Sequence, residues 1–507
     1  MSWLIFWIII YLVVIIYLTS RHVKSTDLES YLVNNRKTKT FPLVATTLAT
    51  FVGGGTSIGL MAMGYESGFA AVGIGIAYVI GFFILSRFAA KMNTVGREKK
   101  LYSFPQYLNT KYTKSDDPNF ARLFSSAVSG INVFIFFFLL SAQFVAMAAL
   151  LKFAFTIDYL PAAIISCIVV IAYTAFAGLS GVILTDLIQF IIIVFMIIVI
   201  FIPGIYNDTN GLERLSELPE TMLNGTYYGW AFLIALPLFL SPSVLIRMDL
   251  WQRILAAKDG KTAKRVSIIS GLGMLPFYII FPLVGMTMKI LVGDSIEPKD
   301  VTYLFLERHS TPFILGFVVV GLMSALMSSG DSFLNLVSIS AVRDFAGWRK
   351  GKSLADKKHI HKEIRITAVI FGLIALVMAL ILPKIVDLMV VGIATIVIFV
   401  PITFLALIKD NVYQYRKVAV ISIISGFVVN LFFFTWGMLA PEQFQSKSSF
   451  IPAFIVASLS LLFGVYSVKR RNNQSPIIKL GYLCPFQFAC NPLLFYRYLK
   501  FIRRFDI

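Results

Sequence analysis

The chain has 507 residues, of which 58% are hydrophobic and only 14% charged, and its formal net charge is +19. A soluble globular protein carries about 25% charged residues, and here the apolar residues fall in runs of roughly 20, the length that crosses ~30 Å of hydrocarbon. This excludes a soluble domain, and it excludes a nucleic-acid-binding reading of the charge, because Lys and Arg lie in the loops between apolar runs, where membrane topology puts them.

The first run, Trp3 to Leu18, is followed by Arg21, His22 and Lys24 with no small-residue cleavage site, so it reads as a retained span and not a signal peptide. In all, 13 segments are predicted to span: 2–19, 41–65, 68–91, 120–153, 158–176, 179–203, 227–250, 266–292, 312–342, 366–382, 385–408, 418–438 and 450–468. Loops 20–40, 92–119, 251–265, 343–365 and 409–417 hold most of the Lys and Arg, as does the tail from Lys469. The alternate set is poor in them, and 204–226 sets Asp208, Glu213, Glu217 and Glu220 against Arg214 alone. Positive loops stay in the cytoplasm. The N-terminus is therefore expected outside and the C-terminus inside, which needs an odd number of spans. Cys167, Cys484 and Cys490 form no metal or disulfide pattern. The tail beyond Pro476 mixes aromatics with cations and reads equally as a segment on the inner leaflet or as a partly disordered tail.

Two of the spans are interrupted. Span 41–65 contains Gly53-Gly54-Gly55, each glycine disfavouring helix by ~1 kcal/mol relative to Ala, and span 227–250 contains Pro237 and then Ser241-Pro242-Ser243. Freed backbone groups inside a membrane are tolerated only where they line a cavity or are buried in protein. The breaks lie five spans apart, and broken helices at matching places in two halves point to a transporter site. The halves run from 41 to 203 and from 227 to 408. Five is odd, so the second is inverted.

Two carboxylates sit in the same apolar stretches. Asp186 opens the run after Gly178, with Gln189 on the same face, and Asp331 follows Ser324, Ser328, Ser329 and Gly330. A charge at the bilayer centre costs at least ~2.5 kcal/mol. Ser328, Asp331, Ser332 and Asn335 share a helix face, and a hard cation such as Na⁺ is satisfied by carboxylate, hydroxyl and backbone oxygens. For these aspartates a bound cation, protonation by burial, and a salt bridge to Arg247 or Arg253 all remain open.

The strings Ala49-Thr-Phe-Val-Gly-Gly-Gly-Thr-Ser-Ile-Gly59, Gly178-Leu-Ser-Gly-Val-Ile-Leu-Thr-Asp186, Asp249-Leu-Trp-Gln-Arg253 and Ala325-Leu-Met-Ser-Ser-Gly-Asp-Ser-Phe-Leu-Asn335 resemble, in order, four core helices of the sodium:solute symporter family. The resemblance implies an all-α polytopic membrane protein of about 13 transmembrane helices. Its five-plus-five inverted-repeat core is of the leucine-transporter type, with one extra N-terminal helix (1–20), two peripheral helices (418–468) and a basic cytoplasmic tail (469–507). It implies a sodium site made of backbone oxygens of Ala49, Val52 and Ala325 with the hydroxyls of Ser328 and Ser329. A second sodium would use Asp186, Ser328, Asp331 and Ser332. Solute contacts would come from Gly53, Gly54, Gly55, Thr56, Gln143, Ser241 and Ser243. The function implied is sodium-coupled import of a small polar organic solute across the plasma membrane, with Na⁺ as coupling ion and lipid as surroundings. The alternative is a solute-binding sensor or scaffold of the same fold. An enzyme is not expected: His22, His309, His359 and His361 fall in loops or at span ends and form no catalytic constellation.

Overall fold

A computed structural model describes residues 2–22, 28–346 and 360–473. The readings made of the tail beyond Asn473, and of His359, lie outside these residues. In chain order the helices are α1 (Ser2–His22), α2 (Leu28–Val33), α3 (Thr40–Phe51), α4 (Gly54–Ser67), α5 (Ala70–Glu98), α6 (Phe104–Tyr112), α7 (Pro118–Phe155), α8 (Tyr159–Met196), α9 (Ile202–Asp208), α10 (Glu220–Leu223) and α11 (Gly229–Phe239). They continue as α12 (Met248–Ala256), α13 (Gly260–Val292), α14 (Val301–His309), α15 (Pro312–Ile339), α16 (Ile360–Ile381), α17 (Ile385–Ile396), α18 (Val400–Ile408), α19 (Arg416–Leu439) and α20 (Phe450–Asn473). Several starts follow directly from capping chemistry. Asp117, Asp259 and Thr311 accept the N–H groups of Phe120 (3.2 Å), Thr262 (2.7 Å) and Ile314 (3.4 Å). Pro118 and Pro312 occupy first-turn positions, where a missing N–H costs nothing.

Among the described residues ten helices are long and apolar enough to span a membrane, or 12 if each of two bent pairs counts as one. Tyr159–Ala172 is a shorter apolar helix standing where the remaining span is expected. The sequence predicts separate spans at 158–176 and 179–203, whereas the backbone is helical throughout Tyr159–Met196. That segment is nonetheless not one straight rod. A Cβ placed on Gly330 of α15 would lie 3.7 Å from Val170, while Asp186 bonds Ser328, two residues away on the same helix. A straight helix would separate residues 170 and 186 by ~24 Å, so α8 bends between them.

The bent pairs are α3 with α4, turning 52° at Val52–Gly53, and Gly229–Leu245 with α12, turning 47°. The first break lies where the glycines predict it. The second differs: Pro237 sits inside α11, Pro242 opens a 3₁₀ turn over Ser241–Leu245, and the bend follows at Ile246–Arg247. A proline at the start of a short turn loses no bond it would otherwise make, so the change of direction is displaced past it. The two pairs are tied at one end. Thr38 donates to the Ala256 carbonyl and accepts from Lys258 N–H, both at 3.1 Å. Asn93 of α5 donates to Ile254 (2.8 Å) and Ala257 (3.0 Å) carbonyls, and Arg97 to Ala257 (2.8 Å).

Polarity is arranged inside out. Exposed faces are apolar, as in α16, where Ile366, Ile370, Leu373, Val377 and Ile381 form one stripe. Thr46, Thr50, Asp186, Ser328, Ser329, Asp331 and Ser332 are buried. With lipid outside, association relies on close packing through small residues. The α4–α13 crossing shows this at Gly285, where a Cβ would lie 2.0 Å from the Met61 carbonyl and 2.4 Å from Tyr65 N. Because the obstacles are backbone atoms, no rotamer relieves them. Gly285→Val is expected to cost about 1–3 kcal/mol, read as a lowered melting temperature of the detergent-solubilised protein, while the lipid-facing Ile370→Val leaves it unchanged.

Candidate functional site

The break after Val52 ends the α3 ladder, so the carbonyls of Ala49 to Val52 lose their helical partners. Directly opposite lies α15. Ser329 donates from Oγ to the Thr50 carbonyl at 2.7 Å, and Thr50 Oγ1 lies 3.3 Å from Ser332 Oγ. Gly53 is required for this approach: a Cβ there would lie 2.2 Å from Ser329 Oγ and 2.8 Å from Gln143 Oε1. The candidate oxygens of Ala49, Val52, Ala325, Ser328 and Ser329 thus belong to two elements that touch at the break.

The charged centre lies one helical turn deeper. Asp186 of α8 is fully buried; its Oδ1 accepts from Ser328 Oγ at 2.5 Å and its Oδ2 from Thr46 Oγ1. Arg253, 1% exposed and in the last turn of α12, places Nη2 3.6 Å from Asp186 Oδ2. The same nitrogen donates to Thr50 Oγ1 (2.7 Å), Ser332 Oγ (3.0 Å) and Thr46 Oγ1 (3.1 Å). One of the alternatives open for Asp186, the salt bridge to Arg253, is formed in this structure. The guanidinium stands among Asp186 and Ser332, two of the groups expected around a second sodium. Asp331 is fully buried three residues along α15 from Ser328.

Beside the break is a cavity of about 30 Å³, lined chiefly by buried residues. Gly53, Gly55, Thr56, Gln143 and Ser329 face it, together with Phe51, Tyr78, Arg247, Tyr278, Phe333 and Met389. Gln143 Oε1 accepts from Gly54 N–H at 2.8 Å, and Thr56 Oγ1 lies 3.1 Å from the Tyr278 hydroxyl. Ser241 and Ser243 are elsewhere: their hydroxyls donate to the Ala77 (2.6 Å) and Leu240 (2.5 Å) carbonyls and neither lines the cavity. The volume suits one or two water molecules; binding sites for organic ligands run to ~300 Å³ or more. The cavity as it stands is too small for an organic solute.

The sodium:solute symporter family profile matches residues 31–416, most of the chain and every residue named at this site. The chain belongs to the sodium:solute symporter family. That is a family of membrane transporters and not of enzymes, and its activity is sodium-coupled solute symport. The chain is 24% identical over 393 residues to sodium/proline symporter 2 of Staphylococcus saprophyticus, covering 73% of this chain and 74% of that one. It is 23% identical over 350 residues to the sodium/pantothenate symporter of Haemophilus influenzae, covering 67% and 70%. In fold it resembles the substrate-bound, outward-open structure of a Na⁺-coupled sialic acid symporter, with a TM-score of 0.72 at 18% identity over 95% of this chain and 98% of that chain.

Some of this symporter's site escapes sequence reasoning. The Thr46/Thr50 pair has helical i, i+4 spacing and could have been found; Tyr78 and Tyr278 carry no pattern that separates them from packing aromatics. Removing one partner of a buried pair leaves an uncompensated charge, so Asp186→Asn is expected to destabilise by about 3–5 kcal/mol. Asp186→Asn combined with Arg253→Gln should recover much of that loss in thermal unfolding. Additive losses would show that the two side chains do not interact.

Proposed function

We propose that this symporter imports a small polar organic solute together with sodium by alternating access. The observation that carries the reading is the contact at the α3 break, where the Thr50 carbonyl meets the hydroxyl of Ser329 with Ser328 beside it on α15. Sodium, as co-substrate, would be held by the backbone oxygens of Ala49, Val52 and Ala325 and by those two hydroxyls. Its arrival would strengthen the α3–α15 contact, and its departure would loosen it. The solute would bind at Gly53, Gly55, Thr56 and Gln143. The solutes for which the relatives are named, proline and pantothenate, are small and polar, which supports that class.

The proposal includes the topology read from the basic loops: N-terminus outside, C-terminus cytoplasmic, plasma membrane, with inverted halves over 41–203 and 227–408. Lys258 and Arg97, at the tied end of the two bent pairs, then lie on the cytoplasmic side. On that topology the tie at Thr38 and Ala256 would serve as an inner gate, closed here by its backbone bonds. One charge moving through 100 mV releases ~2.3 kcal/mol, to which the sodium gradient adds.

We also propose a single sodium per cycle. Arg253 already supplies a positive charge to Asp186 and Ser332, and a second cation there would have to displace it. Uptake into proteoliposomes should therefore depend on external sodium with a Hill coefficient of about one. Uptake that persists when choline or K⁺ replaces Na⁺ would reject sodium coupling, and steep sigmoidal dependence would reject the single ion. Ser329→Ala and Ser328→Ala should each raise the sodium concentration for half-maximal uptake roughly tenfold, as expected for loss of one hydrogen-bond-strength ligand to a charge.

A further inference from the structure

Resting on the reading of the 30 Å³ cavity as the solute site, we infer that Arg247 is its anchor for a carboxylate, so that the solute is a small organic monocarboxylate and not a sugar or a choline-like cation. Arg247 is only 7% exposed and lines the cavity. It follows the bend of the second interrupted span, where the chain leaves its helical path, and its guanidinium is fixed from two sides. Asp249, two residues on and 1% exposed, accepts Nε–H at 3.1 Å on one oxygen and Nη2–H at 2.7 Å on the other. The guanidinium carbon stands 3.8 Å from the centroid of the Phe51 ring, in cation–π contact.

This support consumes one edge of the fork. A guanidinium has five N–H donors in a rigid plane, and Asp249 takes two. The Tyr78 hydroxyl, which also lines the cavity, is hydrogen-bonded to Arg247, and the Nη1 edge is the one that can pair with a second carboxylate in the same two-pronged manner. Asp249 does not line the cavity; it positions the arginine from behind. The other polar groups around the space agree in sign. Gln143 has its carbonyl engaged by Gly54 N–H, so its NH₂ end is what it offers, and the Tyr78, Tyr278 and Thr56 hydroxyls can donate. Among the described residues lining the cavity there is no Asp or Glu, so no carboxylate answers a cationic head group. Phe51, Leu139, Phe333, Met389 and Ile393 form the remaining walls, which suits a solute with an apolar body.

Charge accounting also joins this site to the ion. Arg247 with Asp249 is neutral, and a carboxylate adds one negative charge to a low-dielectric space. A sodium ion at Ser329, which lines the same cavity, restores neutrality. The acid then binds well only with its cation, which is what symport requires.

The test uses the full-length protein in detergent and in proteoliposomes, with propionate, benzoate, L-proline and pantothenate as acids, propionamide, benzamide and L-prolinamide as matched amides, and glucose and choline as neutral and cationic probes. In NaCl at least one acid is expected to bind at least about 30-fold more tightly than its amide, the size set by a buried charge pair. Arg247→Gln is expected to erase that preference. Because the single variant strands Asp249, Arg247→Gln with Asp249→Asn is the second arm; it leaves no unpaired charge and should erase the preference equally. An acid preference that survives both variants overturns the assignment, as does binding of glucose or choline with the acids silent, or silence of every acid at millimolar concentration. Acid binding that is equally tight in KCl upholds the carboxylate and rejects sodium coupling. Sodium-driven uptake of choline or glucose does the reverse.

Discussion

One ion pair organises the centre of this transporter. Arg253 and Asp186 are both removed from solvent, and an unpaired charge in that position costs several kcal/mol. The arginine can remain there only with a carboxylate close by and with acceptors for its N–H groups. Thr46 and Thr50 of α3 and Ser332 of α15 supply the acceptors, and Ser328 of α15 supplies a donor to the carboxylate. Satisfying one guanidinium therefore fixes the relative positions of α3, α8, α12 and α15. Lipid gives helices no hydrophobic reason to associate, so a polar centre in which Nη2 of Arg253 and both oxygens of Asp186 are engaged supplies orientation that apolar packing alone does not.

The interruption of α3 is the second constraint, and it follows from the first. Thr46 and Thr50 are held against Arg253, and the next residues must bring the chain beside α15 without a side chain in the way. Gly53 does this. Ending the ladder there frees carbonyls at the level of Ser328 and Ser329. The same residues that neutralise a permanent cation thus stand next to the oxygens suited to a transient one. Ser328 belongs to both groups: it donates to Asp186 and is a candidate sodium ligand. A change at the ion locus is consequently felt by the ion pair through a single hydroxyl.

Much of the fold was legible in the sequence because the bilayer imposes length and composition on every span. Apolar runs of about 20 residues and two interruptions carry the helical architecture, and the spans, the two bent pairs and the likeness in fold agree. The first break was legible because three glycines have one reading; the second was displaced, since proline marks a weakened ladder and not the residue where direction changes. The turn expected near residue 177 was less legible still, since nothing local separates a bent helix from two short ones. At the site, Asp186 was conspicuous as a lone charge in an apolar run. Its partner Arg253 lies 67 residues away in sequence, and only the fold brings the two together. Ser241 and Ser243 were read as solute ligands for their position at a break; in this structure Ser241 donates across to the Ala77 carbonyl of α5 and Ser243 back to the Leu240 carbonyl, the latter a common fate of serine in a bent helix.

The nine-residue helix α12 gathers these threads. Arg247 immediately precedes it and faces the cavity, Arg253 in its last turn holds Asp186, and the chain just beyond it is tied to Thr38, Asn93 and Arg97. Such a short helix moves as a rigid unit, so these three connections cannot change independently. In the proposed cycle a carboxylate drawing on Arg247 pulls at the same body that carries Arg253, and opening of the inner gate breaks the bonds at Ala256 and Ala257 at its far end. Swinging α12 away from α3 would also strip Thr46 and Thr50 from Arg253, a costly step inside a membrane. Sodium and solute must therefore be in place to offset that cost before the gate opens. In the proposed cycle, coupling then rests on one short helix and the arginine just before it, which join the proposed solute site, the ion pair and the proposed gate.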